Sequence, residues 1–213
     1  MRTSARFTLR RAVILSIVFA FLITTPALCQ QQTIQLPPPQ VTGGMPLMQA
    51  LAQRKTTRSF RDQPLSSQML SNLLWAAFGV NRPREAKPGL GRTAPSAMNS
   101  QDIELDVVLP DGVYMYDAEK NVLRPMVAGD VRGTISPEAA AHAAVTIVYV
   151  AVANDRFAQV DVGFIGQNAY LFSASEGLNA WFYTAQGKNV AGAIKLPPEK
   201  QVLYLQSVGY PPL

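Results

Sequence analysis

The chain has one cysteine and one histidine in 213 residues. A single thiol, Cys29, cannot close a disulfide within the chain, and a cysteine cluster or multi-histidine metal centre is excluded. Any Ser-His-Asp triad would have to use His142, which reads as an ordinary residue of a short helix. Charge of one sign is also scarce once the N-terminus is set aside. The formal charge is +5, from 19 Lys and Arg against 14 Asp and Glu. Four of those cations (Arg2, Arg6, Arg10, Arg11) and none of the acids precede residue 30, which leaves 15 against 14. The basic isoelectric point therefore argues for no nucleic-acid partner. Internal repeats and coiled-coil heptads are lacking as well.

What is present begins with a targeting pattern. The four arginines form a positive segment, Ala12 to Ile23 is apolar apart from Ser16, and Ala27-Leu28-Cys29 offers a cleavage site. Residues 1–29 read as a secretory signal peptide, short of the ~20 residues of a comfortable membrane span. An uncleaved anchor, a lipoprotein at Cys29 and the twin-arginine route stay open as alternatives. The expected location is the periplasm or outside the cell, with no membrane span after cleavage. Residues 30–44, with Pro37-Pro38-Pro39 and two closing glycines, read as an extended, poorly ordered leader. Residues 45–213 are long enough for one domain with a real core.

Within the domain, Pro46 to Gln53 reads as a short helix. A second helix, capped by Ser66 or Ser67, runs to Phe78 and stops at Gly79. Val80 to Ala94 reads as a long loop carrying Arg82, Arg84, Lys87 and Arg92. Ile103 to Leu109 and Val113 to Tyr116 predict a hairpin about Pro110-Asp111-Gly112. Glu138 to Ala144 predicts a short helix, and Val145 to Val152 a strand buried on both faces. Asp161 to Glu176 predicts a helix rich in small residues, with Asp161 as its N-cap and Gly177 as its stop. Strands at Leu178 to Thr184 and Val202 to Val208 complete an α+β class.

Three stretches carry candidate chemistry. Arg54-Lys55-Thr56-Thr57-Arg58-Ser59-Phe60 packs three cations and three hydroxyls into seven residues. Guanidinium forks and hydroxyls hold phosphate, although cations at a helix C-terminus also suit the macrodipole. The second stretch is Arg92-Thr93-Ala94-Pro95-Ser96-Ala97-Met98-Asn99-Ser100-Gln101, and the third is Asp161 to Leu171 with Gly177-Leu178. Each has a plain alternative: Asn99 as a turn cap, Gln167 and Asn168 as exposed helix residues, Trp75, Trp181 and Phe182 as core.

In this order the three stretches resemble the nitroreductase family of FMN flavoproteins over roughly residues 45 to 211. Arg92 to Ala97 and Gly112-Val113-Tyr114-Met115-Tyr116-Asp117 are most similar to the branch holding dehydrogenases of azoline rings in modified peptides. The resemblance implies a nitroreductase-like fold, a central, mostly antiparallel sheet flanked by helices. It implies an FMN-dependent oxidoreductase passing hydride or electrons through flavin N5, with NAD(P)H as a possible donor and a small-molecule or peptide substrate. It also implies a homodimer whose subunits share the flavin. Arg54, Lys55 and Thr56 match the positions that contact the FMN phosphate and ribityl chain, and Arg58 a basic position near the pyrimidine. Ser96 and Asn99 match a Pro-Ser-x-x-Asn element that reaches the flavin, and Gln167 a helix position lining the partner's pocket. Thr184 and Ala185 match the loop near flavin N5. One departure is that the family's cations after the last strand are missing before Leu213. Arg54 and Lys55, with one of Arg82, Arg84, Lys87 or Arg92, would have to supply that charge. An exported flavin site also lies where NAD(P)H is scarce, so a reduced partner protein, a quinol or the substrate itself is an alternative donor. A non-catalytic flavin-binding or interaction module on the same fold is the second reading.

Overall fold

The computed structural model describes residues 32–82, 91–152 and 156–213. The expected signal peptide falls outside them. Seven antiparallel strands form one sheet: β1 (Ile34–Gln35), β6 (Val122–Ala128), β5 (Gly112–Asp117), β4 (Ile103–Leu109), β7 (Val145–Ala151), β9 (Gln201–Gly209) and β8 (Asn179–Tyr183), in that spatial order. The class is the expected α+β with an antiparallel sheet.

The β4–β5 hairpin closes at the Leu109 and Gly112 pair, with the Tyr114 hydroxyl donating to Asp111 Oδ2 at 2.8 Å. A third strand, β6, extends it. Sequence pattern alone passes over β6 because Pro125 lacks the N–H a ladder needs. In the structure, β1 pairs only with Val122 and Leu123, so Pro125 lies beyond β1's reach, beside a register shift at Val113/Tyr114. All seven residues of β7 are buried, as a strand covered on both faces requires.

One face of the sheet carries α2 (Ser67–Phe78) and α4 (Ala158–Ser175). Leu73, Leu74, Val162 and Ile165 pack there against Leu105, Ile147 and Tyr149. Each fully buried Leu or Ile contributes about 1.5–3 kcal/mol. Ser66 caps α2 by accepting the Met69 N–H at 3.2 Å, as the pattern predicts. Helix α4 starts earlier than predicted, with Phe157 at the N-cap, so Asp161 is an interior first-turn residue. Of the two glycines on α4, Gly166 allows the closer approach: a Cβ there would lie 2.8 Å from Phe182 Cε2. Gly177 ends the helix with φ +68°, the left-handed turn that glycine takes without strain.

The other face carries α3 (Arg132–Ile135) and α5 (Val190–Ala193), packed with Ile194 on Val108, Val148 and Leu205. The predicted helix Glu138 to Ala144 reduces to one 3-10 turn, Glu138–Ala140, before β7 begins. His142 is left exposed, with Nδ1 3.6 Å from Asp62 Oδ2.

Two further expectations are corrected. The loop Val80 to Ala94 contains a small ribbon, β2 (Val80–Arg82) with β3 (Gly91–Arg92). Its Arg84 and Lys87 fall outside the described residues. The leader is ordered from Ile34 onward. Leu36 is buried, and the Pro37 carbonyl accepts from Ser71 Oγ at 2.6 Å and Asn121 Nδ2 at 2.8 Å. The Pro38 carbonyl accepts from Gln68 Nε2, Asn72 Oδ1 accepts the Gln40 N–H, and Ser175 Oγ accepts the Met45 N–H. Prolines cannot donate, but their carbonyls accept well. A proline-rich segment is held here by donors on α2 and at Asn121.

Candidate active site

Helix α1 (Leu47–Gln53) ends at Arg54, where ψ turns to 122° and the chain becomes extended. The extended segment lies along the open edge of β8. Thr57 N–H donates to the Ala180 carbonyl at 2.9 Å, Ala180 N–H donates to Thr57 Oγ1 at 3.0 Å, and Asn179 Nδ2 donates to the Ser59 carbonyl at 2.7 Å. This docking covers an edge that would otherwise present unpaired backbone groups.

The edge pairing sets where each basic-stretch side chain goes. Thr56 Oγ1 lies 2.9 Å from the Tyr170 hydroxyl on α4. That hydroxyl also accepts the Phe182 N–H at 2.8 Å, and either hydroxyl can donate in the Thr56–Tyr170 contact. The Arg54 guanidinium sits 5.4 Å from the centroid of the same Tyr170 ring. Lys55 lines a cavity of about 210 Å³ with Thr57, Tyr170, Ser173 and Asn179. Among the described residues no carboxylate pairs with Arg54, Lys55 or Arg58. Arg58 departs from the group, its guanidinium lying 5.3 Å from the Trp181 ring centroid. Trp181 and Phe182 point to opposite faces of β8, so Arg58 is on the α5 side and Arg54 and Thr56 on the α4 side.

The Ser96 and Asn99 stretch forms a second, separate cluster. Arg92 is spent on structure: Nη1 donates to the Phe78 carbonyl at 3.1 Å, Nε donates to Gln101 Oε1 at 3.2 Å, and the guanidinium stacks on the Phe78 ring. Burial lowers its pKa from the ordinary arginine value, against the opposing effect of Tyr116, Glu119 and Asp117. Ser96 Oγ accepts the Gln101 N–H at 2.9 Å, and Asn99 Oδ1 accepts from Gln101 Nε2 at 2.8 Å. Ser96 Oγ also lies 3.4 Å from Ser100 Oγ, and the Asn99 amide hydrogens remain as donors. The backbone here is unusual: Met98, Asn99 and Gln101 have φ of 54°, 56° and 51°. Ala97 N–H donates to Asp161 Oδ1 at 2.8 Å. Arg82, Arg92, Ser96 and Asn99 line a cavity of about 300 Å³.

The two clusters are held by opposite parts of α4. Asp161 and Tyr170 are nine residues apart, about 13.5 Å along a helix that rises ~1.5 Å per residue. Within one chain Lys55 and Tyr170 line one cavity, and Ser96 and Asn99 line another. Gln167 is exposed on the outer side of α4, near the exposed apolar residues Val160 and Phe164, and Leu47, Met48 and Leu51 of α1 are exposed as well. Thr184 is exposed just past β8, and Ala185 is half-buried against the α5-side core. A larger cavity, about 510 Å³, lies between the N-terminal strap, α2 and α4. Its lining, with Trp75, Asn72, Asn168 and Phe172, holds no Lys or Arg, so it does not suit a phosphate.

Sequence reasoning missed Tyr170, which braces Thr56 and stacks under Arg54, and misread Asp161. Neither has a short-range signature, because Thr56 and Tyr170 are 114 positions apart and Ala97 and Asp161 are 64 apart.

Known proteins resemble this chain in sequence and in fold. A Ralstonia eutropha protein of known crystal structure, assigned to the nitroreductases, is 34% identical to this chain. It superposes with a TM-score of 0.76 over 86% of this chain and 91% of its own. A Methanocaldococcus jannaschii protein with the same assignment is 29% identical over 151 residues, which span 62% of this chain and 75% of that protein. A Clostridium difficile FMN-dependent nitroreductase shares the fold at 17% identity, with a TM-score of 0.55 over 78% of this chain and 88% of its own. The profile of the nitroreductase family matches residues 51–210, from within α1 to the end of the last strand. This chain belongs to the nitroreductase family of oxidoreductases.

Proposed function

We propose that the chain is an exported, FMN-dependent oxidoreductase that works as a homodimer. The observation carrying this reading is the convergence of Arg54, Lys55 and Thr56 beside Tyr170. Two cations with no carboxylate partner among the described residues, together with the Thr56 hydroxyl, form a set suited to a phosphate ester. FMN, when bound, supplies hydride or electron transfer at its N5. The chain's own part is to bind and orient. Arg54 and Lys55 neutralise the phosphate, the Thr56 hydroxyl donates to it, and Tyr170 fixes the Thr56 rotamer. Ser96 and Asn99 present a hydroxyl and an amide group to the ring system.

The distance between the two clusters supports a site completed by a second copy. One copy contributes Arg54 to Thr56 with Thr184 and Ala185, and the partner contributes Ser96, Asn99 and Gln167. The exposed apolar residues of α1 and α4 are suited to burial in that pairing. The N-terminal charge and hydropathy pattern supports export. The stretches Arg92 to Ala97 and Gly112 to Asp117 favour the azoline-dehydrogenase branch, with a peptide or small-molecule substrate and NAD(P)H or another reductant as donor.

The absorption spectrum of freshly purified protein tests the reading. Flavin bands that bleach on adding dithionite are the expected result. A colourless protein that does not take up added FMN removes the redox role and leaves a binding module on the same fold.

A further inference from the structure

The loop that carries Ser96 and Asn99 is held in a conformation its residues do not prefer. Met98, Asn99 and Gln101 all lie in the left-handed region, with φ between 51° and 56°. Methionine and glutamine rarely enter that region, and asparagine tolerates it best of the three. Three such residues in four positions persist only where the surroundings over-determine them. Bonds within the loop hold the Gln101 N–H and side chain. The loop meets the helix layer directly through the Ala97 N–H, which donates to Asp161 Oδ1 at 2.8 Å, and indirectly through Arg92, which bonds Gln101 Oε1 and the Phe78 carbonyl.

Asp161 is an unusual residue to find there. It is 1% exposed, and its Oδ2 meets no donor among the described residues. Burying a carboxylate with so few partners is costly, and an apolar side chain would fill the same volume more cheaply. A capping role does not account for it, because the N-cap of α4 is Phe157 and its side chain makes no cap bond. The positive end of the α4 dipole favours a carboxylate in the first turn, but that does not explain why it is aimed at Ala97.

We propose that Asp161 is a positioning residue: by holding the Ala97 amide it sets the left-handed run that presents Ser96 and Asn99 to the flavin. The inference rests on the flavin reading above. Only Oδ1 is in use, so asparagine, which keeps an acceptor of the same shape, should serve, whereas alanine should not. The charge itself is dispensable for this role.

Backbone hydrogen exchange and FMN titration of the full chain test it, on wild type, Asp161→Ala and Asp161→Asn. In Asp161→Ala, exchange at the amides from Ala97 to Gln101 should speed up about tenfold or more while Ile147 and Val148 keep their wild-type protection. FMN affinity should fall roughly tenfold in the same variant, and Asp161→Asn should bring both quantities back within about threefold of wild type. Unchanged exchange at Ala97 with unchanged FMN affinity overturns the proposal. Acceleration that extends to β7 also overturns it, because that marks a merely structural role, and so does failure of Asp161→Asn to restore the loop. If wild type takes up no FMN yet Asp161→Ala loosens the loop alone, the flavin reading falls and the positioning role stands.

Discussion

Thr56 and Tyr170 meet hydroxyl to hydroxyl at 2.9 Å, and this contact joins the basic stretch to α4. The Tyr170 hydroxyl also accepts the Phe182 N–H at 2.8 Å, so one phenol braces the basic stretch and β8 together. Tyr170→Phe removes both bonds and strands a backbone donor. The expected loss of stability is about 1–3 kcal/mol, with weaker FMN binding alongside. Denaturant unfolding and flavin titration of the variant check this; wild-type values in both would remove Tyr170 from the site.

Arg54 lies over the Tyr170 ring with no carboxylate partner among the described residues. Arg54→Ala should weaken FMN binding by about 1.5–3 kcal/mol, the worth of a hydrogen bond to a charged group. Stability should barely change, because no buried partner is left unsatisfied. Isothermal titration with FMN measures the first and thermal unfolding the second. Flavin affinity equal to wild type would exclude Arg54.

Asp106 is fully buried on β4 between Met115 and Val148, and neither carboxylate oxygen has a hydrogen-bond partner among the described residues. Burial, reinforced by Glu104 and opposed by Lys200, pushes its pKa from 3.8 up to about 7. Between those values the folded protein keeps a proton that the unfolded chain has released. Stability is therefore full below the lower value, declines as pH rises through the window, and levels off above it. The total decline attributable to Asp106 is about 4 kcal/mol, because each pH unit across that window is worth ~1.4 kcal/mol. Asp106→Asn should lose most of that slope and be the more stable protein at alkaline pH. Unfolding measured on both sides of the window decides this, and identical pH slopes in the two proteins would contradict it.

Gly177 turns the chain from α4 into β8 at φ +68°, and nothing lies within 4 Å of the point a Cβ would occupy. Space is not the constraint there; the backbone angle is. Gly177→Val should cost about 1–2 kcal/mol from the left-handed conformation, more than Gly177→Ala because of β-branching. Urea midpoints for the two variants give the ranking. A valine variant as stable as wild type would show that the turn relaxes.

The elements that could be read in advance were those with a strong local period or a bounded apolar run. The β4–β5 hairpin, β7 and α2 with its Ser66 cap all depend on residues close in the chain. The strap at residues 34–45 was not legible, because Pro37-Pro38-Pro39 signals an absence of donors and says nothing of the donors that Ser71, Gln68 and Asn121 direct at its carbonyls. Strand β6 was hidden by Pro125. In the candidate site, the residue types at Arg54, Lys55 and Thr56 announced anion chemistry. Their brace at Tyr170, the turn of Arg58 toward Trp181 and the aim of Asp161 at Ala97 depend on how α4 and β8 lie in space.

A flavin site assembled from two copies makes a demand that no single-chain site makes. Arg54→Ala and Asn99→Ala chains, each defective in FMN binding alone, are co-expressed with different tags and the mixed dimer is isolated. In that dimer one site carries both substitutions and the other carries neither, so about half the wild-type FMN content should return in a two-fold dimer. A mixed dimer that binds no more FMN than its two parent variants would contradict the shared site.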